Sequence, residues 1–129
     1  MIIEAMVLSL AVQASEGNGR IFPICGSGRR VTCVVDGDTF WLDRVKYRVA
    51  DIDAPEVSKP RCKTEGLLGK AATYRLQEML NDGPFYLKAQ GVDRYGRTLA
   101  VVSRLGRSFG LRLVSEGLAR EWGDRRCWC

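Results

Sequence analysis

V-T-C-V-V-D-G-D-T-F-W-L-D-R-V-K-Y-R-V-A-D, residues 31–51, decides the fold of this chain. VTCVV, TFWL and KYRVAD are short runs rich in β-branched and aromatic residues, separated by Asp36-Gly37-Asp38 and by the polar pair Asp43-Arg44. Such runs suit a pleated, half-buried surface, and Asp-Gly is a leading signal for a tight hairpin turn. The stretch is expected to form a three-stranded meander.

C-terminal to it, residues 52–61 hold Pro55 and Pro60 and read as loop, because proline denies a ladder its N–H and restrains the preceding residue. Between Glu65 and Leu80, Leu68, Ala71, Ala72, Leu76, Met79 and Leu80 recur at spacings of three and four, which predicts a helix over about 65–81. Asn81-Asp82-Gly83-Pro84 ends it. PFYLKAQ and RTLAVVS read as strands around a turn at Asp93 to Gly96, and Ser108 is a suitable N-cap for a second helix over about 108–116, ended by Gly117. Three strands, helix, two strands, helix is the order of a mainly β, five-stranded barrel of the OB type, in which the helix between strands three and four plugs one end.

N-terminal to the meander, residues 15–30 are rich in Gly, Ser and Arg and read as a linker leading into the domain over 31–129. Residues 1–14, MIIEAMVLSLAVQA, carry a short apolar run and then Val12-Gln13-Ala14, which reads as a signal peptide with its cleavage site, although Glu4 stands where positive charge is usual. The run is too short to span a bilayer, so no membrane anchor is expected. The expectation is a secreted or periplasmic monomer.

Cys25, Cys33, Cys62, Cys127 and Cys129 fit that setting, since small exported domains staple modest cores with disulfides. Free buried thiols and zinc are the alternatives, but zinc lacks its usual spacings: there is no C-x-x-C pair and no histidine. Position suggests Cys25 with Cys33, and Cys62 with Cys127 or Cys129; an odd count leaves one thiol over. At 129 residues the chain suits a single domain, and its formal charge of +5 is compatible with a polyanionic partner without requiring one.

With no histidine, acid–base chemistry falls to carboxylates, Lys, Tyr or Cys, and oxygen donors form the natural metal site. Three stretches stand out. Asp36-Gly37-Asp38 is also an ordinary hairpin turn. In Arg48 to Glu56, alternation cannot bury both faces of the strand, so charge must face a cleft, or else Arg48, Asp51 and Asp53 form a salt bridge that merely closes the barrel end. Asp93-Arg94-Tyr95-Gly96-Arg97 joins two guanidinium groups to an aromatic ring, a combination suited to phosphate and base, although it would also serve as a solvated turn.

Taken together, V-D-G-D-T (35–39), R-x-x-x-I-D-A-P-E (48–56) and D-R-Y-G-R-x-L-A (93–100), followed by L-V-S-E-G-L-A (113–119), resemble the motifs of the staphylococcal-nuclease family in order and separation, over about two-thirds of the chain. The resemblance implies a Ca²⁺-dependent endonuclease acting on DNA or RNA and leaving 3′-phosphates. It implies Asp38, Asp53 and the backbone carbonyl of Ala54 as calcium ligands, Glu56 as general base, Arg48 and Arg97 on the phosphoryl oxygens, and Arg94 and Tyr95 against the nucleotide. Family members commonly have threonine at the position of Ala54, which a main-chain ligand tolerates. In place of the family's third helix stands a Trp- and Cys-rich tail, residues 122–129, from which a disulfide could substitute for lost packing. The fold also occurs as degenerate copies that bind nucleic acid or protein without cutting. Those typically lose charged site residues, all of which are present here.

Overall fold

The computed structural model describes residues 20–129 and the backbone of a short strand at Gln13–Ala14. The elements are β1 (Gln13–Ala14), β2 (Cys33–Asp36), β3 (Thr39–Leu42), β4 (Val45–Val49), β5 (Ile52–Asp53), α1 (Lys63–Asn81), β6 (Tyr86–Val92), β7 (Thr98–Arg104), β8 (Arg107–Ser108), α2 (Phe109–Ser115) and β9 (Arg120–Glu121). The rest of the segment expected to be a signal peptide lies outside the described residues.

The meander forms as read. β2, β3 and β4 pair antiparallel, with Thr39 opposite Arg48. Asp43 and Arg44 both take positive φ (51° and 70°) in the tight turn between β3 and β4, and the Thr32 hydroxyl accepts the Asp43 N–H. β6 and β7 form the second hairpin, and β7 lies parallel against β4. The main sheet therefore runs β1-β6-β7-β4-β3-β2, with β8 beside β7, and β5 and β9 form a separate pair.

Of the expected five-stranded OB-type barrel, the five strands and their order along the sheet are present, and no pairing between β2 and β6 joins the two ends among the described residues. Each end has another partner: β1 lies along β6, and Ile24 bridges to Val34 of β2. An edge already paired has no N–H and C=O row left for closure.

Ile24 belongs to the stretch expected as linker, and from Arg20 onward that stretch packs as part of the domain. Phe22 is 0% exposed, its N–H is accepted by the Asn81 side chain, and its carbonyl accepts from Gln77 and Asn81. The signal missed was an apolar Phe among Gly, Ser and Arg. Val34, Phe40, Leu42, Val49, Ile52, Leu76, Met79, Leu80, Phe85, Val102, Phe109, Leu113 and Ala119 complete the core with it.

α1 begins two residues before the expected start, capped by Cys62, and buries Glu65, Gly69, Ala72, Thr73, Leu76, Met79 and Leu80; Ala71, assigned to the apolar face by spacing, is exposed. Its C-terminal end is closed by Arg104, whose guanidinium donates at 2.7–2.9 Å to the carbonyl of Met79, in the last turn, and to those of Gly83 and Pro84 just beyond it. Ser108 caps α2 as expected, accepting the Leu111 N–H at 3.0 Å.

Cys25 pairs with Cys33, and Cys62 with Cys129; Cys127 is the exposed free thiol. The second bridge ties the C-terminal tail to the N-terminal end of α1.

Candidate active site

Arg48 is the hub. It occupies the fourth position of β4, where the alternation turns its side chain inward, and it is only 6% exposed. A buried guanidinium is tolerable only when its donors are matched. Nη1 donates to the carbonyls of Val49 (2.6 Å) and Ile52 (2.7 Å), and Nη2 to Asp53 Oδ1 (2.7 Å), with Asp38 Oδ2 at 3.5 Å. The planar fork thus braces the end of β4 against β5 and draws two carboxylates toward one point.

Asp38 sits at the β2–β3 turn. Its Oδ1 accepts from the Thr39 hydroxyl (3.0 Å) and its Oδ2 from the Ala54 N–H (2.9 Å), so the turn and the post-β5 loop are pinned together. The turn also lies against α1: a Cβ on Gly37 would come within 2.6 Å of Ala72 Cβ and 2.9 Å of Ala54 Cβ, which only glycine avoids.

Asp36 joins this group, although the sequence reading gave it no role beyond the turn. Burial, and then the repulsion of Asp38 and Glu56, push its carboxyl up to about 7. Burial likewise raises Asp53 in spite of the Arg48 guanidinium beside it. Two carboxylates, Asp38 and Asp53, face the single Arg48 guanidinium, and the donors here are hard oxygens of the kind that suit a divalent cation. Among the described residues no group of three or more His, Cys, Asp or Glu side chains is disposed to hold a metal ion. The side chains that could hold an ion here are those of Asp38 and Asp53.

Glu56 lies in the loop before α1 with its side chain exposed, and that loop is held at two points. Glu65, three residues into the helix, accepts the Glu56 N–H (3.2 Å) and the Arg61 N–H (2.8 Å). Those N–H donors, that of Arg61 first, keep its carboxyl below the usual range against the effect of burial. Gly69, one turn further on, allows the carbonyls of Pro55 and Glu56 to lie against the helix.

Arg94, Tyr95 and Arg97 project from the β6–β7 turn. Asp93 Oδ1 accepts the N–H groups of Tyr95 (2.9 Å) and Arg97 (3.0 Å), and Asp93 Oδ2 accepts Arg97 Nε (2.7 Å). Burial would raise the Asp93 carboxyl, but these bonds from Arg97 outweigh it and hold it low. Both guanidinium groups lie over the Tyr95 ring, at 5.0 Å for Arg94 and 5.4 Å for Arg97, which leaves the terminal nitrogens of Arg97 pointing at no carboxylate among the described residues.

The structure thus brings the sequence-designated residues onto one face, except that Asp51 stands apart: it accepts from the Ser108 hydroxyl at 2.6 Å and does not touch Arg48. Trp122, which the reading saw only as part of a tail, is the central new member. Its N–H donates to the Asp51 carbonyl, the β5–β9 pair sets Asp53 opposite Arg120, and the ring lies 5.4 Å from the Arg48 guanidinium while 67% exposed. It stands between two cavities. One, about 500 Å³, holds Arg48, Arg94, Tyr95 and Arg97; the other, about 490 Å³, holds Asp53, Ala54, Glu56, Arg61 and Arg125.

Comparison with known proteins places the chain among nucleases. The family model for staphylococcal nuclease homologues matches residues 46–126. A thermonuclease of Staphylococcus intermedius is 31% identical over 130 residues, covering 93% of this chain and 77% of that protein. A thermonuclease of Staphylococcus hyicus is 30% identical over 131 residues with the same coverage. The SPbeta prophage-derived endonuclease YokF of Bacillus subtilis is 39% identical over 95 residues, 67% of this chain and 31% of that longer protein.

Proposed function

Because this chain belongs to the staphylococcal nuclease family, we propose that it is a Ca²⁺-dependent endonuclease that hydrolyses phosphodiester bonds of DNA or RNA and leaves 3′-phosphates. The observation that carries this reading is the buried Arg48 fork, which gathers Asp38 and Asp53 beside the loop bearing Glu56. Asp38, Asp53 and the Ala54 carbonyl would hold the calcium. When bound, the ion supplies positive charge against a non-bridging phosphoryl oxygen.

Glu56 takes a proton from the attacking water, whose oxygen bonds to phosphorus. The bond from phosphorus to the 5′-oxygen breaks, and that oxygen is protonated from solvent. Glu56 suits this part because its side chain is open to the cleft while its main chain is fixed by Glu65. Arg48, whose Nε–H has no protein acceptor among the described residues, and Arg97, with open terminal nitrogens, meet the negative charge that grows on the phosphoryl oxygens. Arg94 and Tyr95 hold the neighbouring nucleotide. On this reading the sheet from β2 to β7 is an open OB-type barrel with α1 at one end. The two disulfides support an oxidising compartment, secreted or periplasmic, and no helix among the described residues is long and apolar enough to cross a membrane.

The test is a plasmid digestion series with Ca²⁺, Mg²⁺ and chelator, with product ends mapped. Cleavage with Ca²⁺ giving 3′-phosphates, abolished by chelator, is expected; Glu56→Ala should lower turnover about 10²- to 10⁴-fold with the fold intact. Full turnover in Glu56→Ala would remove it from its role, and saturable binding without cleavage in any metal would favour a non-catalytic module.

A further inference from the structure

The cavity on the tail side of Trp122 shares Asp53, Ala54 and Glu56 with the proposed reacting centre, so whatever fills it is continuous with the phosphate being cut. Its remaining wall comes from two segments far apart in sequence. Arg61 precedes Cys62, the cap of α1, and Arg125 lies in the tail that ends at Cys129; the disulfide between Cys62 and Cys129 joins these walls covalently. The tail is further shaped by Arg120, which donates to the carbonyls of Arg126 and Cys127 and lies 3.9 Å over the Trp128 ring.

Charge in this cavity sorts itself. Asp124 is taken up by Arg126, Asp53 by Arg48, and Glu65 by two backbone N–H groups. Arg61 and Arg125 make no ion pair among the described residues, and both are exposed. Two exposed guanidinium groups lining one cavity, Arg61 within electrostatic reach of Glu65 and Arg125 of Asp53 but neither held in an ion pair, stand beside the exposed Trp122 ring and suit a polyanion that can stack.

We propose that this cavity is a second phosphate subsite, in which Arg61 and Arg125 hold the sugar–phosphate backbone flanking the scissile bond, on the opposite side of Trp122 from Arg94 and Tyr95. The inference rests on the nuclease reading for the direction of the strand through the cleft. It makes the natural substrate a polynucleotide that spans both cavities.

Binding of a fluorescent twelve-nucleotide single strand, followed by anisotropy in chelator from about 50 to about 200 mM salt, tests this without cleavage. Each phosphate contact contributes about 0.7 to the slope of log affinity against log salt. Arg61→Gln and Arg125→Gln are each expected to lower that slope by about 0.7 and to weaken binding about five- to tenfold at low salt, uniformly over sequence. Arg125→Lys should keep the slope, because the charge and not the fork geometry is what counterion release reads. Unchanged slopes in both Gln variants would overturn the subsite, as would a loss in Arg125→Lys equal to that in Arg125→Gln, or no binding by the unmodified chain. An unmodified chain that binds with the expected slopes but never cuts overturns the hydrolytic reading and leaves the subsite standing.

Discussion

Gly69→Ala separates the positioning of Glu56 from the stability of the fold. An added Cβ would lie 2.8 Å from the Glu56 carbonyl oxygen, 2.9 Å from that of Pro55 and 3.0 Å from the Glu56 carbonyl carbon, whereas ordinary contact begins at 3.4 Å. All three neighbours are backbone atoms and Pro55 is fully buried, so no rotamer change relieves the overlap and the loop itself must retreat by roughly 0.5 Å. The 3.2 Å bond from the Glu56 N–H to Glu65 would then stretch beyond hydrogen-bonding range. Overpacking costs about 1–3 kcal/mol, offset by about 0.8–1 kcal/mol from replacing a mid-helix glycine with alanine, which leaves a net loss of about 0–2 kcal/mol. A misplacement of about 1 Å near the chemistry costs about a hundredfold in rate, so half of that costs about tenfold. The assay is turnover on a fluorescent oligonucleotide at saturating substrate and Ca²⁺, with urea unfolding in parallel and Gly28→Ala as control, since a Cβ there meets nothing within 4 Å. A Gly69→Ala chain that gains about 1 kcal/mol from propensity alone and keeps full turnover would refute the reasoning.

Further outcomes follow from the same contacts. Glu65→Gln should lower turnover about tenfold with a modest loss of stability, since an amide keeps one acceptor for the two N–H groups of Glu56 and Arg61; the comparison of kcat with thermal midpoint checks it. Because the Glu65 carboxyl is held below its ordinary 4.5, its contribution is present above that value and is lost as pH falls through the lower folded value, so acid unfolding of Glu65→Gln should begin from a flatter baseline below about pH 4.5. Removing the Cys62–Cys129 bridge, whose cysteines are 67 residues apart, should cost about 4 kcal/mol in denaturant titration, against about 2.5 kcal/mol for Cys25–Cys33 with a separation of 8; equal losses would show that loop closure is not the governing factor. Arg97→Ala should abolish most turnover with only a small loss of stability from its bond to Asp93, whereas Arg48→Ala should lose about 3–5 kcal/mol by stranding Asp38 and Asp53, which paired activity and melting measurements distinguish.

Sequence alone determined the local elements and marked the residues proposed to act in the cleft. Short runs of β-branched and aromatic residues between turn signals marked β2 to β4, three- and four-residue spacing marked α1, and Ser108 and Gly117 bounded α2, because these patterns depend on neighbours along the chain. The motif residues Asp38, Arg48, Asp53, Glu56, Arg94, Tyr95 and Arg97 were legible for the same reason: each lies in a short contiguous signature. What only the tertiary structure decided are contacts between distant segments. Phe22 in the core, β1 and Ile24 on the two sheet edges, Glu65 holding the Glu56 loop, Glu56 brought toward Asp36, and the tail drawn over the cleft by Cys129 leave no periodic trace. Each depends on which surface another part of the chain presents, and that is set by packing and loop closure, which local propensity does not encode.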